Sequence, residues 1–445
     1  MRSSAAGSTF SEYYGVNGNI GRAIMIIASL ATVLLGLNKL VQIIGYISPV
    51  LLEQGYEVHI TYRRSAGKAE ELMAADPGRL FAHKLDQGKI EEIENADFLV
   101  ENEWYGVIFN AALGSGTVKE YADQGDPLNA ASDVVLTKDN VATCAGCTVA
   151  LETLATLLAE PGDVFLIPAP YYSSFVDDIN ERAGVIAVGV RCDEKLDRSA
   201  FEAAYDKVTK EGRRVRAVLF SSPNNPIGIV YKEEAVRNII DFAMAHDLEI
   251  ISDEIYAQTV FDPEAHYVST LKLVPASYRH RVHVTSSFAK DFVLSGFRTG
   301  MCFSFNPCII QGFGSITYYS SVSSHTQSLL TALLQSPELE GVMDLSRQRL
   351  KTAYEIITKG LADIGVPTMK AQAGIFIMAD FSAYLEKQEF AEEHVLWQKI
   401  YNDLMINVSP GQLFGSDKPG WFRMCYAFEE DTVQEACRRL ATLKK

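Results

Sequence analysis

The sequence predicts an α/β protein with a large, mostly parallel sheet domain and a smaller C-terminal α+β domain. From residue 164 onward, short runs rich in β-branched and aromatic residues alternate with amphipathic segments, as strands and crossover helices do in layered α/β folds. After Pro307 the pattern changes to a long helical stretch followed by short strand-like runs. A chain of 445 residues is long enough for two or three domains.

The predicted strands of the large domain are continuous apolar runs, which suit strands buried on both faces of a parallel sheet. A helix is predicted over residues 233–245, where apolar side chains recur at helical spacing. The later part of the chain predicts one helical stretch over about 324–361 and a terminal helix from Asp431. The predicted strands cover residues 164–167, 185–190, 217–220, 248–252 and 282–285.

Composition excludes several classes of function. A formal net charge of -16 argues against nucleic acid or an anionic membrane as a partner. The seven cysteines are scattered and predict no disulfide framework, so we expect a reducing, cytoplasmic environment. Cys144 and Cys147 form a lone C-x-x-C pair without further ligands, and no metal site is predicted.

Residues 1–115 predict an atypical N-terminal segment. The apolar run 23–37 is too short to span a bilayer and predicts a buried core helix, so a membrane partner is not expected. The glycine-containing run 15–24 suggests a dinucleotide loop, and residues 55–64 predict a following strand that ends in Arg63 and Arg64. With Asp86 and residues 110–112, these runs resemble the opening half of a short-chain dehydrogenase, although Asn19 stands where the middle glycine of the loop belongs.

Polar residues follow three of the predicted strands directly or closely. Asp253 comes immediately after one strand, and Asn225 and Ser287 follow two others. Ligands of open α/β sheets bind at the carboxyl ends of the strands. The sequence therefore predicts a site that brings these three side chains together.

Six ordered motifs extend this set over two thirds of the chain. From about residue 143 to the end, the sequence resembles the pyridoxal phosphate (PLP) enzymes of fold type I, the aspartate aminotransferase superfamily. The branch it resembles most is that of 1-aminocyclopropane-1-carboxylate synthase. The motifs are Pro168-Ala169-Pro170-Tyr171-Tyr172, Asn225-Pro226, Ser252-Asp253-Glu254-Ile255-Tyr256, Ser287-Phe288-Ala289-Lys290-Asp291, Gly296-Phe297-Arg298, and 407–411 with 420–423.

The resemblance implies that PLP is the cofactor and assigns roles to the polar residues around its ring. Lys290 would form the imine with the aldehyde and then move the substrate's α-proton. Asp253 would keep the pyridine nitrogen protonated, and Tyr256 and Asn225 would bind the phenolic oxygen. Tyr172 would stack on the ring.

The resemblance also implies a phosphate site and a substrate site. Ser287, Arg298 and the start of a helical run at Cys147 and Thr148 would hold the phosphate, and Tyr121 would reach it from the neighbouring subunit. Arg423 would bind the substrate α-carboxylate, and Asn225 would also contact the substrate. Simpler roles stay open for several of these residues, and Tyr171 is the fallback for the stacking role. The simpler roles are a helix cap for Thr148, an ordinary turn for 225–226, a buried ion pair for Arg423, a surface position for Lys290, a strand cap for Asp253 and a core aromatic for Tyr172.

The predicted function is a PLP enzyme that acts at the α-carbon of an amino acid, with an aminotransferase as the first interpretation. A lyase similar to 1-aminocyclopropane-1-carboxylate synthase, catalysing β- or γ-elimination or cyclisation, is the alternative, and the Ala-Glu-Asn segment of such synthases is absent from the sequence. An inactive or chimeric protein with a reductase-like N-terminal piece is a third possibility. We expect domains over 1–115, 116–307 and 308–445, and a homodimer.

Overall fold

A computed structural model describes residues 23–29, 57–62, 80–84, 104–111, 134 and 136–443. The chain divides into two units, one formed by residues 1–117 and 323–331 and the other by residues 118–322 and 332–445. The predicted division into 1–115, 116–307 and 308–445 stays a prediction.

The first unit contains a four-stranded parallel sheet in the order β3-β2-β1-β4. This order is typical of the first half of a doubly wound nucleotide-binding sheet. Its strands are β1 (Ala23–Ser29), β2 (Glu57–Tyr62), β3 (Leu80–Lys84) and β4 (Trp104–Ala111).

Two expectations for this segment are wrong in part. Residues 23–29 are a strand and not the start of a core helix, because Ile24, Ile26 and Ile27 are β-branched and pair on both sides with β2 and β4. The same strand begins inside the run 15–24 that suggested a dinucleotide loop, so Ala23 and Ile24 belong to no such loop. The rest of that loop, together with Arg63, Arg64, Asp86 and Ala112, lies outside the described residues.

The second unit is built on a seven-stranded sheet in the order β5-β11-β10-β9-β8-β6-β7. Neighbouring strands run parallel except at β11, which is antiparallel to both β10 and β5. The predicted α/β fold class is therefore confirmed. The strands are β5 (Val141–Cys144), β6 (Val164–Ala169), β7 (Ile186–Arg191), β8 (Val215–Ser221), β9 (Glu249–Asp253), β10 (Val282–Ser287) and β11 (Gly300–Ser304).

This sheet is buried on both faces, as the continuous apolar runs predict. Along β6, Val164 and Leu166 belong to one hydrophobic cluster, whereas Phe165 and Ile167 belong to another. Since side chains alternate between the two faces of a strand, each cluster covers one face.

Helices connect the strands and cover both faces. The predicted helix 233–245 is confirmed as Glu233–Ala245, with its apolar side chains buried. The helices of the second unit are α1 (Cys147–Leu158), α2 (Phe175–Asn180), α3 (Arg198–Lys210), α4 (Glu233–Ala245), α5 (Thr270–Leu273), α6 (Phe288–Asp291), α7 (Pro307–Ile316), α9 (Leu339–Asp363), α10 (Phe390–Leu404) and α11 (Glu430–Leu440). One further helix, α8 (Ser324–Gln335), lies mostly within residues 323–331 of the first unit.

The predicted helical stretch 324–361 is two helices, α8 and α9. The break falls at Pro337, which has no amide hydrogen and disfavours a helical conformation at the preceding residue. A three-stranded antiparallel sheet, in the order β12-β14-β13, follows with its own hydrophobic core. Its strands are β12 (Phe376–Asp380), β13 (Ser409–Pro410) and β14 (Trp421–Cys425). Within the described ranges, no helix combines the length and apolarity that a membrane crossing requires.

Candidate active site

The candidate site lies at the carboxyl ends of the large sheet's strands. Asp253 is the last residue of β9 and Ser287 the last residue of β10. Asn225 follows β8 in a buried loop, and α1 begins at Cys147 directly after β5. The structure thus brings together the polar residues that the sequence placed after separate strands.

Asp253 is a buried carboxylate with both of its side-chain donors on one oxygen. The Cys147 thiol donates to Asp253 Oδ1 over 3.2 Å, and the Thr285 hydroxyl donates to the same oxygen over 3.0 Å. Burial raises the pKa of the Asp253 carboxyl to about 6, although both donors favour the ionised form. No cation within residues 136–443 forms an ion pair with it. A buried carboxylate of this kind is suited to hold a proton on a ligand nitrogen.

A second carboxylate lies near Asp253. Burial, and next the charge of Asp253, raise the pKa of Asp178 in α2 to about 6, while a hydrogen bond from Thr148 opposes that rise. Asp178 Oδ2 is buried and has no hydrogen-bond partner in the described part of the chain. The Thr148 side chain therefore faces a carboxylate, and only its backbone position at the start of α1 fits the predicted phosphate contact.

The start of α1 forms a cradle with the shape and charge for an anion. Gly146 precedes the helix with φ +107°, and a Cβ atom on it would lie 2.4 Å from Arg298 Nη2. A Cβ atom on Gly300 would lie 2.4 Å from the Gly146 carbonyl carbon. The amide groups at the N-terminus of a helix and a nearby guanidinium together favour a phosphate.

Arg298 reaches this cradle from the segment between β10 and β11, and Ser287, the last residue of β10, pairs with Gly300 beside the cradle. The Arg298 guanidinium donates to the Ala145 carbonyl over 3.5 Å and to the Ser295 carbonyl over 3.2 Å. The Ser287 hydroxyl donates to the Thr299 carbonyl over 2.6 Å and accepts from Ala289 N over 3.0 Å. Arg298 is exposed, which leaves its remaining donors accessible to an anion.

Lys290 lies between these two residues in the short helix α6. Its side chain is half-buried, and within residues 136–443 no carboxylate pairs with its ammonium group. The neighbouring Asp291 is buried and accepts from Gln258 N over 2.9 Å. This bond ties the lysine segment to the turn that follows Tyr256.

Arg423, in β14, has a half-buried guanidinium. It donates to Asn225 Oδ1 over 3.2 Å, and its Cζ atom lies 4.6 Å from the ring centre of Phe414 and 5.4 Å from that of Phe376. Burial lowers the pKa of Arg423. No carboxylate in the described ranges pairs with it, so the ion-pair role left open by the sequence finds no partner there. A half-buried guanidinium without an ion-pair partner is suited to bind an incoming carboxylate.

Two tyrosines complete the group. Tyr256 is buried, and its ring meets Phe376 edge-on at 5.2 Å between centres. Burial, and next the charge of Asp253, raise the pKa of the Tyr256 hydroxyl. Tyr172 is half-buried and meets Phe175 edge-on at 5.4 Å. Tyr121, the predicted contact from a second subunit, lies outside the described residues.

Sequence reasoning missed four contributors to this site. For Cys147 the sequence predicted only a backbone contact, and its thiol was missed. No role was predicted for Thr285, Phe376 or Phe414. Thr285 could have been found, because it lies two residues before Ser287 on one strand and so shares its face. The phenyl rings beside Arg423 come from distant segments, and nothing in the sequence near Arg423 indicates them.

Comparisons with known proteins identify the family and the fold. Residues 117–440 match the family described as "Aminotransferase class I and II". The chain is 35% identical over 318 residues to a 1-aminocyclopropane-1-carboxylate synthase of Glycine max, which covers 69% of this chain and 66% of that relative. It is 37% identical over 314 residues to 1-aminocyclopropane-1-carboxylate synthase 5 of Oryza sativa subsp. japonica, which covers 68% of this chain and 59% of that relative.

The chain therefore spans about two thirds or less of the length of these two curated relatives. Among solved structures, aspartate aminotransferase of Thermus thermophilus with maleate matches with a TM-score of 0.64 and 21% identity, over 74% of this chain and 81% of that one. This likeness concerns the fold. Since the family match extends over most of the chain, the protein belongs to the aminotransferase class I and II family.

Proposed function

We propose that this protein binds PLP and acts at the α-carbon of an amino acid, by elimination or cyclisation similar to that of 1-aminocyclopropane-1-carboxylate synthase. One observation carries the proposal. A buried carboxylate, Asp253, and a half-buried guanidinium, Arg423, lie in one site, and neither has a partner of opposite charge among the described residues. Each charge is costly to bury alone, so a ligand with complementary charges is expected.

The residues present fit PLP, the cofactor that the family implies. The cradle of Gly146 and Arg298 excludes a Cβ atom and offers donors for a phosphate. Asp253 offers an anionic acceptor for a protonated ring nitrogen, with one oxygen already occupied by two donors. When bound, PLP supplies an electron sink for negative charge at the substrate α-carbon.

Five side chains of the protein then have distinct roles toward the cofactor and the substrate. Asp253 holds the proton on the ring nitrogen, and Tyr256 and Asn225 bind the phenolic oxygen. Arg423 binds the substrate carboxylate and so fixes the orientation of the α-carbon. Lys290 has no ion-pair partner among the described residues, and its Nζ atom is the base that takes the α-proton.

The comparisons favour the lyase over the aminotransferase that was the first interpretation of the sequence. The relatives that share 35% and 37% identity are named as 1-aminocyclopropane-1-carboxylate synthases, whereas the aminotransferase structure shares 21%. Transamination remains the second candidate for one reason. The sequence lacks the Ala-Glu-Asn segment whose glutamate serves the substrate in such synthases.

A homodimer belongs to the same proposal, with Tyr121 of each subunit reaching the phosphate of the other. Mixing Tyr121→Phe and Lys290→Ala proteins tests it, because a heterodimer contains one site with both defects and one with neither. Activity above that of either parent supports the shared site. A monomer at working concentration, or no recovery after proven subunit exchange, contradicts it.

The experiment that tests the function starts from the absorbance spectrum of the purified protein with PLP. A borohydride-sensitive visible band shows a lysine-bound cofactor, and tight NADPH binding without that band favours the reductase-like alternative. The holoenzyme is then given an amino acid that carries a leaving group on the γ-carbon. A lyase releases that group when no 2-oxo acid has been added, whereas an aminotransferase needs an added 2-oxo acid acceptor to turn over and converts that acceptor to an amino acid.

A further inference from the structure

We infer that Cys147 is a positioning residue for Asp253, holding the carboxylate ionised and leaving Oδ2 as the oxygen available to the cofactor. The inference rests on the proposed function, because it assumes that Asp253 meets a protonated ring nitrogen of PLP. It concerns the thiol side chain, whereas the predicted role of Cys147 involves the backbone at the start of α1.

The geometry places two donors from two different elements on one oxygen of Asp253. Cys147 is the first residue of α1, and its Sγ atom lies 3.2 Å from Asp253 Oδ1. Thr285, which is paired with Asp253 across β9 and β10, donates to Oδ1 over 3.0 Å. With Oδ1 engaged from two directions, the carboxyl plane cannot rotate without breaking both bonds.

The thiol stays protonated and is therefore a donor. Burial, and next the charge of Asp253, raise the pKa of Cys147 well above its ordinary range. A thiolate beside a buried carboxylate would add a second uncompensated negative charge, which a low-dielectric site disfavours. The sulfur can thus give Asp253 a hydrogen bond and no competing charge.

Carboxyl groups face Asp253 from several elements, and the Cys147 thiol, the Thr285 hydroxyl and the Ile255 amide oppose their effect. Asp178, Glu254 and Asp291 are carboxyls whose charges oppose ionisation of Asp253 or are opposed by it. Tyr256 is a neutral phenol at ordinary pH because burial raises its pKa. Cys147 and Thr285 are the side-chain donors to Asp253 in the described ranges, so loss of the thiol shifts the carboxyl toward its protonated form.

A protonated Asp253 cannot accept the hydrogen bond and neutralise the charge of a protonated ring nitrogen. The thiol therefore controls the affinity for the cofactor in a pH-dependent way. Losing one hydrogen bond to a charged group changes the proton affinity of Asp253 about tenfold. From a starting pKa of about 6, the Kd of Cys147→Ala for PLP then rises about fivefold near pH 6 and less than about twofold near pH 8.

The test is an equilibrium titration of the full-length, cofactor-free protein with PLP at both pH values. Cys147→Ser keeps a donor and restores the wild-type Kd at both. Cys147→Val is a second variant without a donor and shows the same pH-dependent loss as Cys147→Ala. Cys302→Ala is the matched control, because Cys302 is a fully buried thiol in the same hydrophobic cluster as α1.

The outcomes separate the inference from the proposed function. A penalty of equal size at both pH values, no rescue by Cys147→Ser, or the same loss in Cys302→Ala overturns the role of the thiol. A wild-type protein that binds no PLP overturns the proposed function itself, and the inference with it. The thermal unfolding midpoint of each variant checks that it folds. A rise in the Kd of Cys147→Ser for PLP that is equal at both pH values is enough to reveal a pH-independent effect of the substitution.

Discussion

The Arg423 guanidinium donates to the Asn225 carboxamide oxygen over 3.2 Å, joining a strand of the small sheet to the loop after β8. Asn225 orients the guanidinium but cannot neutralise its charge. The flanking rings of Phe376 and Phe414 further restrict its movement. This fixed orientation supports the proposed role of Arg423 in binding a carboxylate ligand.

Replacing Arg423 with lysine should raise KM for the amino acid about 10- to 100-fold and change the Kd for PLP by less than about twofold. An ammonium cannot reproduce two parallel hydrogen bonds to a carboxylate. Steady-state kinetics and a PLP titration measure the two effects. Arg191→Lys is the control, because Arg191 is an exposed partner of Asp417. Loss of PLP binding in Arg423→Lys would instead make Arg423 part of the structural support for the cofactor site.

Lys290→Ala should abolish the borohydride-sensitive visible band and leave a folded protein. The side chain has no ion pair in the described ranges, so its removal breaks no such contact. Absorbance before and after borohydride, with circular dichroism for folding, measures the outcome. Lys272→Ala, an exposed lysine of α5, serves as the control. A band that survives in Lys290→Ala assigns the covalent link to another lysine.

Gly146→Ala should weaken binding of PLP and of inorganic phosphate at least about tenfold. The added Cβ atom would lie 2.4 Å from Arg298 Nη2 and force the guanidinium away. Gly162→Ala isolates the backbone effect, because Gly162 has φ +90° and no atom lies within 4 Å of its added Cβ. Both variants should lose about 1–2 kcal/mol of unfolding free energy. Equal phosphate affinity in both would show that Gly146 does not shape an anion site.

Asp253→Asn should alter the pH dependence of stability in the cofactor-free protein. The folded-state pKa of Asp253, about 6, lies above its ordinary value of 3.8. Because the folded state binds the proton more tightly, the protonated carboxyl contributes its full stabilisation below about pH 4, and this contribution is lost as pH rises through about 6. An asparagine accepts the same bonds at Oδ1 without titrating. As pH rises from about 4 to above 6, the unfolding free energy of the variant therefore increases by up to about 3 kcal/mol relative to that of the wild type. Urea unfolding at several pH values measures the difference, and parallel curves would contradict it.

Much of the large sheet could be predicted from local sequence alone. The apolar runs at 164–167 and 217–220 are strands because burial on both faces demands such continuous runs. The position of Asp253 and Asn225 after strands sufficed to place them in one site, since parallel strands end at a common edge. The N-terminal run 23–29 was harder, because a short apolar run suits a buried strand and a buried helix equally.

Contacts between distant segments could not be predicted in this way. The bond from Cys147 to Asp253 joins residues that are 106 positions apart, and its formation depends on where α1 begins relative to β9. The contact of Arg423 with Phe414 depends on how β14 packs against the turn after β13. Neither relation leaves a periodic signal, because each involves one side chain from each segment.

The reversed direction of β11 has a consequence for how this site can be altered. Because β11 runs antiparallel to β10, the chain returns at the same edge that it has just left, and segment 288–299 stays local. A parallel strand would require a crossover that carries the chain to the opposite edge before it could pair. Lys290 and Arg298 thus lie on one continuous connection, and an exchange of this segment between proteins of the same architecture would have to keep its partners Gln258 and Ala145.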